Sequence, residues 1–204
     1  MIEIEHLTGP DEIRPFIPDI ADLRMTVFRE WPYLYDGSAE EEKTYLSHFA
    51  NSPASVVGLA RSDGKIVGAT TAQPLSDTHS EFRAPFEAQN LPINEIFYFG
   101  ESVLLRAFRG HGIGHNFFDL REQAARKHGA SITAFCAVQR PETHAARPAE
   151  YRPLDGFWKK RGYTPRPDLI CHYKWTDVGE REETDKPLMF WINTSAGQIP
   201  TPRR

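Results

Sequence analysis

Three glycines on alternate residues, in the run Arg109-Gly110-His111-Gly112-Ile113-Gly114, constrain this chain more than any other feature. The run follows an apolar, strand-like stretch, Ile96 to Leu105, and opens an amphipathic helix. Without Cβ atoms the backbone is bare, and a bulky ligand can come close. The helix that follows points its first unpaired N–H groups, and the positive end of its dipole, into the same space. Such a turn is an anion site, most naturally one for a phosphate. Arg109 adds a fixed positive charge at its mouth, suited to phosphate oxygens.

The rest of the chain must build a scaffold around that turn. With 204 residues, 40% of them hydrophobic, it suits one globular domain, read here as residues 1–198 with a loose tail at 199–204. A net charge of −4 gives no basic excess for nucleic acid, and no lysine run suggests a membrane surface. No apolar run approaches the length of a membrane span. Met1-Ile2-Glu3-Ile4-Glu5 lacks the charged-then-apolar build of a signal peptide. Cys136 and Cys171 lie in apolar, strand-like surroundings without metal-ligand spacing and read as reduced thiols. The histidines form no metal pattern, although His111 and His115 lie four apart at the helix start. These features predict a cytoplasmic protein without a metal.

Periodicity gives the elements. Ile2 and Ile4 alternate with Glu3 and Glu5, a short strand. Ile13 to Glu30 is apolar at helical spacing, and Pro15 and Pro18 delay its regular part to near Asp19. An aromatic-rich loop, Phe28 to Gly37, leads to Ser38, the N-cap of a helix over Ala39 to Phe49 whose Glu40-Glu41-Glu42 run reads as a solvated first turn. Strands over Ser55 to Ala60 and Ile66 to Ala72 flank a hairpin turn at Ser62-Asp63-Gly64-Lys65, and the polar stretch Asp77 to Gln89 has room for a short helix. Ile96 to Leu105 is a central strand, Gly112 to His128 a helix stopped by Gly129, and Ile132 to Val138 a buried strand. Arg140 to Pro153 is irregular, Leu154 to Arg161 is a short helix ended by Gly162, and two strands follow near Leu169 to Trp175 and Pro187 to Asn193. That order predicts a mixed sheet with helices on both faces, an α+β (α/β sandwich) fold.

Three phosphate loops compete for the glycine run. A Walker loop needs Lys-Ser or Lys-Thr after its last glycine, and Ile113-Gly114-His115 does not supply it. A dinucleotide loop has a different third spacing and sits at the start of a β-α-β unit. An acyl-CoA loop, Arg/Gln-x-x-Gly-x-Gly/Ala, is satisfied by Arg109, Gly112 and Gly114. At these residues the sequence resembles the GNAT superfamily of acyl-CoA-dependent N-acyltransferases. The likeness takes in Val103-Leu104-Leu105, the run Phe108 to Gly114, the segment Phe157-Trp158-Lys159-Lys160-Arg161-Gly162-Tyr163 and the hairpin Val56 to Ala72, and extends to about Trp175. It implies a mostly antiparallel sheet of about seven strands, the fourth and fifth splayed apart, and acetyl-CoA as the acyl-donating cosubstrate.

Coenzyme A carries a pyrophosphate and an amide-rich arm. Backbone amides of Arg109, Gly110, His111, Gly112, Ile113 and Gly114 suit the first. Strand groups at Val103, Leu104 and Leu105 suit the second, with an N–H near Leu104 facing the developing oxyanion. The candidate base is Glu101, with Glu95 second, each alternatively a solvated strand-end acid or a salt-bridge partner; the two share a face if the strand is regular, and a bulge at Gly100 would change that. The resembled family often draws its acid from a tyrosine where this chain has Trp158, which is left beside the cosubstrate. Tyr151, Tyr163 or solvent must then supply the proton. Trp31, Tyr33 and Tyr35 would wall an apolar or cationic acceptor or, alternatively, pack on the sheet edge. Arg140, Arg147 and Arg152 lie in a stretch long enough to be a lid, which would favour an acceptor bearing a carboxylate. The expected activity is direct acyl transfer to a primary amine, small molecule or peptide, in a ternary complex. No nucleic-acid or membrane partner is expected, and the resemblance admits a homodimer. A non-catalytic CoA-binding sensor and a phosphate-binding scaffold without CoA are the rival readings.

Overall fold

The computed structural model describes residues 2–194, so the tail expected at 199–204 lies outside the described residues. The opening alternation runs further than expected, and β1 spans Ile2–Thr8. Three helical segments follow in place of one: α1 (Gly9–Ile13), a 3-10 turn (Arg14–Phe16) and α2 (Ile17–Phe28). Each carries a proline at its first or second position, where no N–H is needed, so the prolines segment the helix instead of delaying it. α3 (Ala39–Phe49) starts at Ser38 in a full capping box with Glu41. β2 (Val56–Ser62) and β3 (Lys65–Pro74) meet at Asp63-Gly64, both with positive φ (49° and 76°), the turn handedness that matches strand twist. Then come α4 (Ser80–Ala88), β4 (Ile96–Leu104), α5 (Ile113–His128), β5 (Ile132–Val138), α6 (Asp155–Lys160), β6 (Thr164–Thr176) and β7 (Glu183–Asn193).

The strands form one seven-stranded sheet in the order β1-β2-β3-β4-β5-β7-β6. Every neighbour pair is antiparallel except β4 with β5. That parallel pairing holds only from Ile96↔Ile132 to Tyr98↔Ala134. Beyond it β4 follows β3 and β5 follows β7, so the middle of the sheet opens as a wedge.

Helices cover both faces because each helix carries one apolar stripe. On one face Ile20, Leu23, Leu46 and Phe49 of α2 and α3 pack on Val57, Leu59 and Val103. On the same side Phe82 and Phe86 of α4 cover Tyr98 and Phe190. On the other face Phe117, Phe118 and Leu120 of α5 lie in the clusters that hold Ala60, Phe97 and Phe99. Burial of each such large side chain stabilises the fold by about 1.5–3 kcal/mol, which fixes both walls of the wedge without strand pairing across it. Among the described residues no helix is long and apolar enough to cross a membrane.

Candidate functional site

The glycine run follows a 3-10 turn, Arg106–Phe108, at the end of β4. Gly110 and Gly112 hold φ of 82° and 81°, a region that side chains with a Cβ rarely adopt. Gly112 is the N-cap of α5, offers no side-chain cap, and is followed by no acidic residue in the first turn. Among the described residues the N–H groups of Gly110, His111, Gly112, Ile113 and Gly114 donate no hydrogen bond; that of Arg109 donates to the Arg106 carbonyl at 3.2 Å. α3 is the opposite case, since Ser38 caps it and Glu40, Glu41 and Glu42 fill its first turn. One helix start is satisfied internally; the other leaves its amides bare, the arrangement that suits an anion. His111 is exposed, with Nδ1 3.3 Å from the Phe108 carbonyl oxygen.

The Arg109 side chain departs from expectation. Its guanidinium donates two bonds to Glu30, at 2.8 and 3.1 Å, and Nε donates to the Leu104 carbonyl at 2.9 Å. The planar fork matches a carboxylate as well as a phosphate, and Glu30, just past α2, brings the carboxylate within reach. The cation at the mouth is therefore paired across the opening, to the loop that holds Trp31.

A cavity of about 1640 Å³ runs from Gly110, Gly112 and Gly114 through the wedge to Arg24, Glu42 and Glu101. Leu104 borders it, Val103 is buried against the α2 side, and the Leu105 N–H is committed to the Val67 carbonyl at 3.0 Å. Trp158 borders the wedge, with its ring 5.0 Å from Phe135 and 5.1 Å from Trp191.

A bulge at Gly100-Glu101 turns Glu101 toward α2 and α3. Thr70 pairs with Ser102 and Ala72 with Phe99, so Thr71 alone opposes two residues. A Cβ on Gly100 would collide with Thr71 Oγ1. The Glu101 N–H donates to that same oxygen at 3.2 Å. Without the extra residue Glu101 would follow Phe97 and Phe99 toward α5; with it, Glu101 follows Ile96 and Tyr98 toward α2 and α3. Glu95 is thereby separated from it. β4 begins at Ile96, Glu95 closes a 3-10 turn before it, and its exposed carboxylate accepts from Ser131 Oγ at 2.7 Å, away from the cavity.

Glu101 is buried and ion-paired to Arg24 Nη1 at 2.7 Å, while Arg24 Nε donates to Glu42. The Arg24 guanidinium also lies over the Tyr45 ring at 4.4 Å. Burial raises the Glu101 pKa; Arg24 pulls it down and Glu42 pushes it up again, and the balance stays above the ordinary carboxylate value. Burial disfavours the Arg24 cation, but Glu101 and Glu42 outweigh it and hold it charged. Glu101 Oε1 is buried with no hydrogen-bond partner among the described residues.

Neither Arg24 nor Glu42 was expected here. The Glu40-Glu41-Glu42 run is not uniformly solvated, because Glu42 lies on the inner face of α3 with Leu46 and Phe49. That four-then-three spacing was readable as a charge on a core stripe, as was Arg24 beside Ile20 and Leu23.

The aromatic loop is held in place from the far side. Arg140 donates to the carbonyls of Pro32 (3.1 Å) and Tyr33 (2.7 Å) and grips Asp177 at 2.7 and 2.8 Å. It braces the loop and is not free for an acceptor carboxylate, which removes Arg140 from that expected role, while Arg147 and Arg152 border the cavity. Tyr33 stacks on Trp175 at 6.1 Å, Tyr35 meets the same ring edge-on at 6.4 Å, and Trp31 meets Tyr151 edge-on at 6.0 Å. All five border the cavity. Burial and nearby Asp155 raise the Tyr151 pKa, so its hydroxyl keeps its proton through neutral pH. Tyr163 does not reach the cavity; it is buried under the sheet with its hydroxyl 3.0 Å from Thr133 Oγ1.

Residues 18–150 match the model of the Acetyltransferase (GNAT) family. No curated protein matches the chain in sequence. Among solved structures, a ribosomal-protein-alanine N-acetyltransferase from Brucella melitensis aligns over 94% of this chain and 99% of its own, at 16% identity and a TM-score of 0.59. An aminoglycoside 6′-N-acetyltransferase complexed with coenzyme A aligns over 98% and 99%, at 18% identity and a TM-score of 0.55. A putative acetyltransferase from Acinetobacter baylyi aligns over 98% and 97%, at 11% identity and a TM-score of 0.63. At these identities the likeness is one of fold.

Proposed function

This chain belongs to the acetyltransferase (GNAT) family, and on that premise we propose that it transfers an acetyl group from acetyl-CoA directly to a primary amine in a ternary complex. The carrying observation is one cavity with bare α5 amides at one end and the unpaired Glu101 Oε1 at the other. The amides at Gly110 to Gly114 hold the pyrophosphate. The parted edge of β4 at Val103 and Leu104 receives the arm, and a backbone N–H there faces the developing oxyanion. Glu101 takes the amine proton, directly or through a water. Tyr151, protonated and on the cavity wall, serves the leaving thiolate. Trp31, Tyr33 and Tyr35 wall the acceptor, a small molecule or peptide amine. A single domain with reduced Cys136 and Cys171, acting in the cytoplasm, fits this role.

Calorimetry with CoA tests the donor half, and acetyl-CoA turnover across an amine panel tests the whole. Gly112→Trp, which fills the turn and strains a positive φ, is expected to abolish CoA binding; unchanged affinity would remove the turn from the site. A non-catalytic acyl-CoA sensor is the rival reading, favoured by Trp158, whose indole N–H is too weak an acid to protonate a thiolate. CoA binding without turnover of any amine would establish it.

A further inference from the structure

Arg121, on the α5 side of the wedge, has no role in the chemistry above. It is 2% exposed and borders the cavity. Its guanidinium lies 4.6 Å from the Phe99 ring centre and 4.5 Å from that of Phe118. Among the described residues only Nε has a hydrogen-bond acceptor, the Phe117 carbonyl at 3.3 Å. No carboxylate pairs with it among the described residues, and Nη2 is buried without a partner. Burial pushes its pKa down to about 10, still charged at neutral pH. A buried cation with unmet donors is destabilising, and two ring faces offset only part of that.

The surroundings do not relieve it. The neighbouring Glu122 is tied to Arg161 at 2.7 Å, and Glu101, on the opposite face of β4, to Arg24. Arg121 lies eight residues beyond Ile113, roughly 12 Å along α5 from the bare turn. That is past the reach of a pyrophosphate seated there and alongside the path of the arm.

We propose that Arg121 binds an oxygen of the acyl donor beyond the pyrophosphate, inside the wedge between β4 and β5. The acceptor is either an amide carbonyl of the arm or a carboxylate at the far end of the acyl group. The geometry that carries this is a buried guanidinium clamped by two rings on the wall of the cavity, its Nη2 without a partner among the described residues. The inference rests on the acyl-CoA reading.

Calorimetry separates the two. Wild-type protein and the variants Arg121→Met and Arg121→Lys are titrated with CoA, succinyl-CoA and the phosphorylated adenosine diphosphate half of CoA, which lacks the arm. Removing a hydrogen bond from a charged donor is expected to weaken binding by about ten- to a hundredfold. A loss for CoA and succinyl-CoA alike, with the nucleotide half unaffected, identifies the arm carbonyl. A loss for succinyl-CoA alone identifies the acyl carboxylate. Arg121→Lys keeps the charge without the fork and is expected to fall between wild type and Arg121→Met. Equal losses for all three ligands, or none, overturn the proposal. Failure of wild-type protein to bind any of them overturns the acyl-CoA reading itself. Methionine replaces the buried cation with an apolar side chain of similar length, so thermal stability should be kept or raised.

Discussion

The two ends of the cavity are built by different means. The proposed donor end is a contiguous turn, Arg109 to Gly114, whose unpaired groups are backbone amides. The proposed acceptor end is assembled from side chains on three elements: Arg24 on α2, Glu42 on α3 and Glu101 on β4. Backbone amides are fixed in charge and insensitive to pH. Two buried carboxylates on one guanidinium are strongly coupled, so a change in any one retunes the others. The donor end should therefore respond to substitution through shape, and the acceptor end through charge and pH.

The largest expected effect is at Glu101. Glu101→Gln keeps the shape and removes the proposed base, and kcat should fall by about a hundred- to ten-thousandfold, with CoA affinity unchanged by calorimetry. Loss of CoA affinity instead would mean that the two ends are not separable. Arg24→Met comes next. Removing the only cation between two buried carboxylates should cost about 3–5 kcal/mol, read as a lowered thermal midpoint. The sign on activity follows from the charges. Without Arg24, Glu101 is harder to ionise, so the acid limb of the kcat profile should move to higher pH. An unmoved limb would show that Arg24 does not tune the base.

Glu42→Gln should move the same limb the other way. Glu42 helps keep the Glu101 pKa above its ordinary value. Its neutralisation leaves Arg24 acting on Glu101 alone, and the limb should move to lower pH. A purely structural role for Glu42 would lower stability and leave the profile in place. The opposite signs at Arg24 and Glu42 make the pair a sharper test than either alone.

The difference between the ends also governs what the sequence discloses. The turn could be read directly, because its chemistry lies in consecutive residues whose special conformations demand glycine. The sheet was readable from alternation and from Asp63-Gly64, and α3 from Ser38. The charge cluster was not, because Arg24, Glu42 and Glu101 are brought together only when α2 and α3 pack on the sheet. The face of Glu101 depended on a bulge that Gly100 hints at but does not compel, and a regular strand would have misdirected it toward α5. Arg140 invited a substrate-binding reading because its partners, Pro32, Tyr33 and Asp177, are remote in sequence. Composition and spacing are silent about such partners.

Arg109 joins the two ends, and its test has the smallest expected effect. Its guanidinium turns away from the glycine run to hold Glu30 beside Trp31. Both side chains are about two-fifths exposed, so the pair itself contributes no more than about 1 kcal/mol. A diphosphate at the turn would compete with Glu30 for the same fork. Glu30→Gln removes that competitor and should tighten CoA binding by a few-fold at low ionic strength, with the gain shrinking as salt screens the charges. If affinity instead falls, Glu30 positions Arg109 for the phosphate, and the ends are coupled through cooperation. If neither affinity nor its salt dependence changes, the amides alone hold the anion and the division between a backbone-built and a charge-built end is complete.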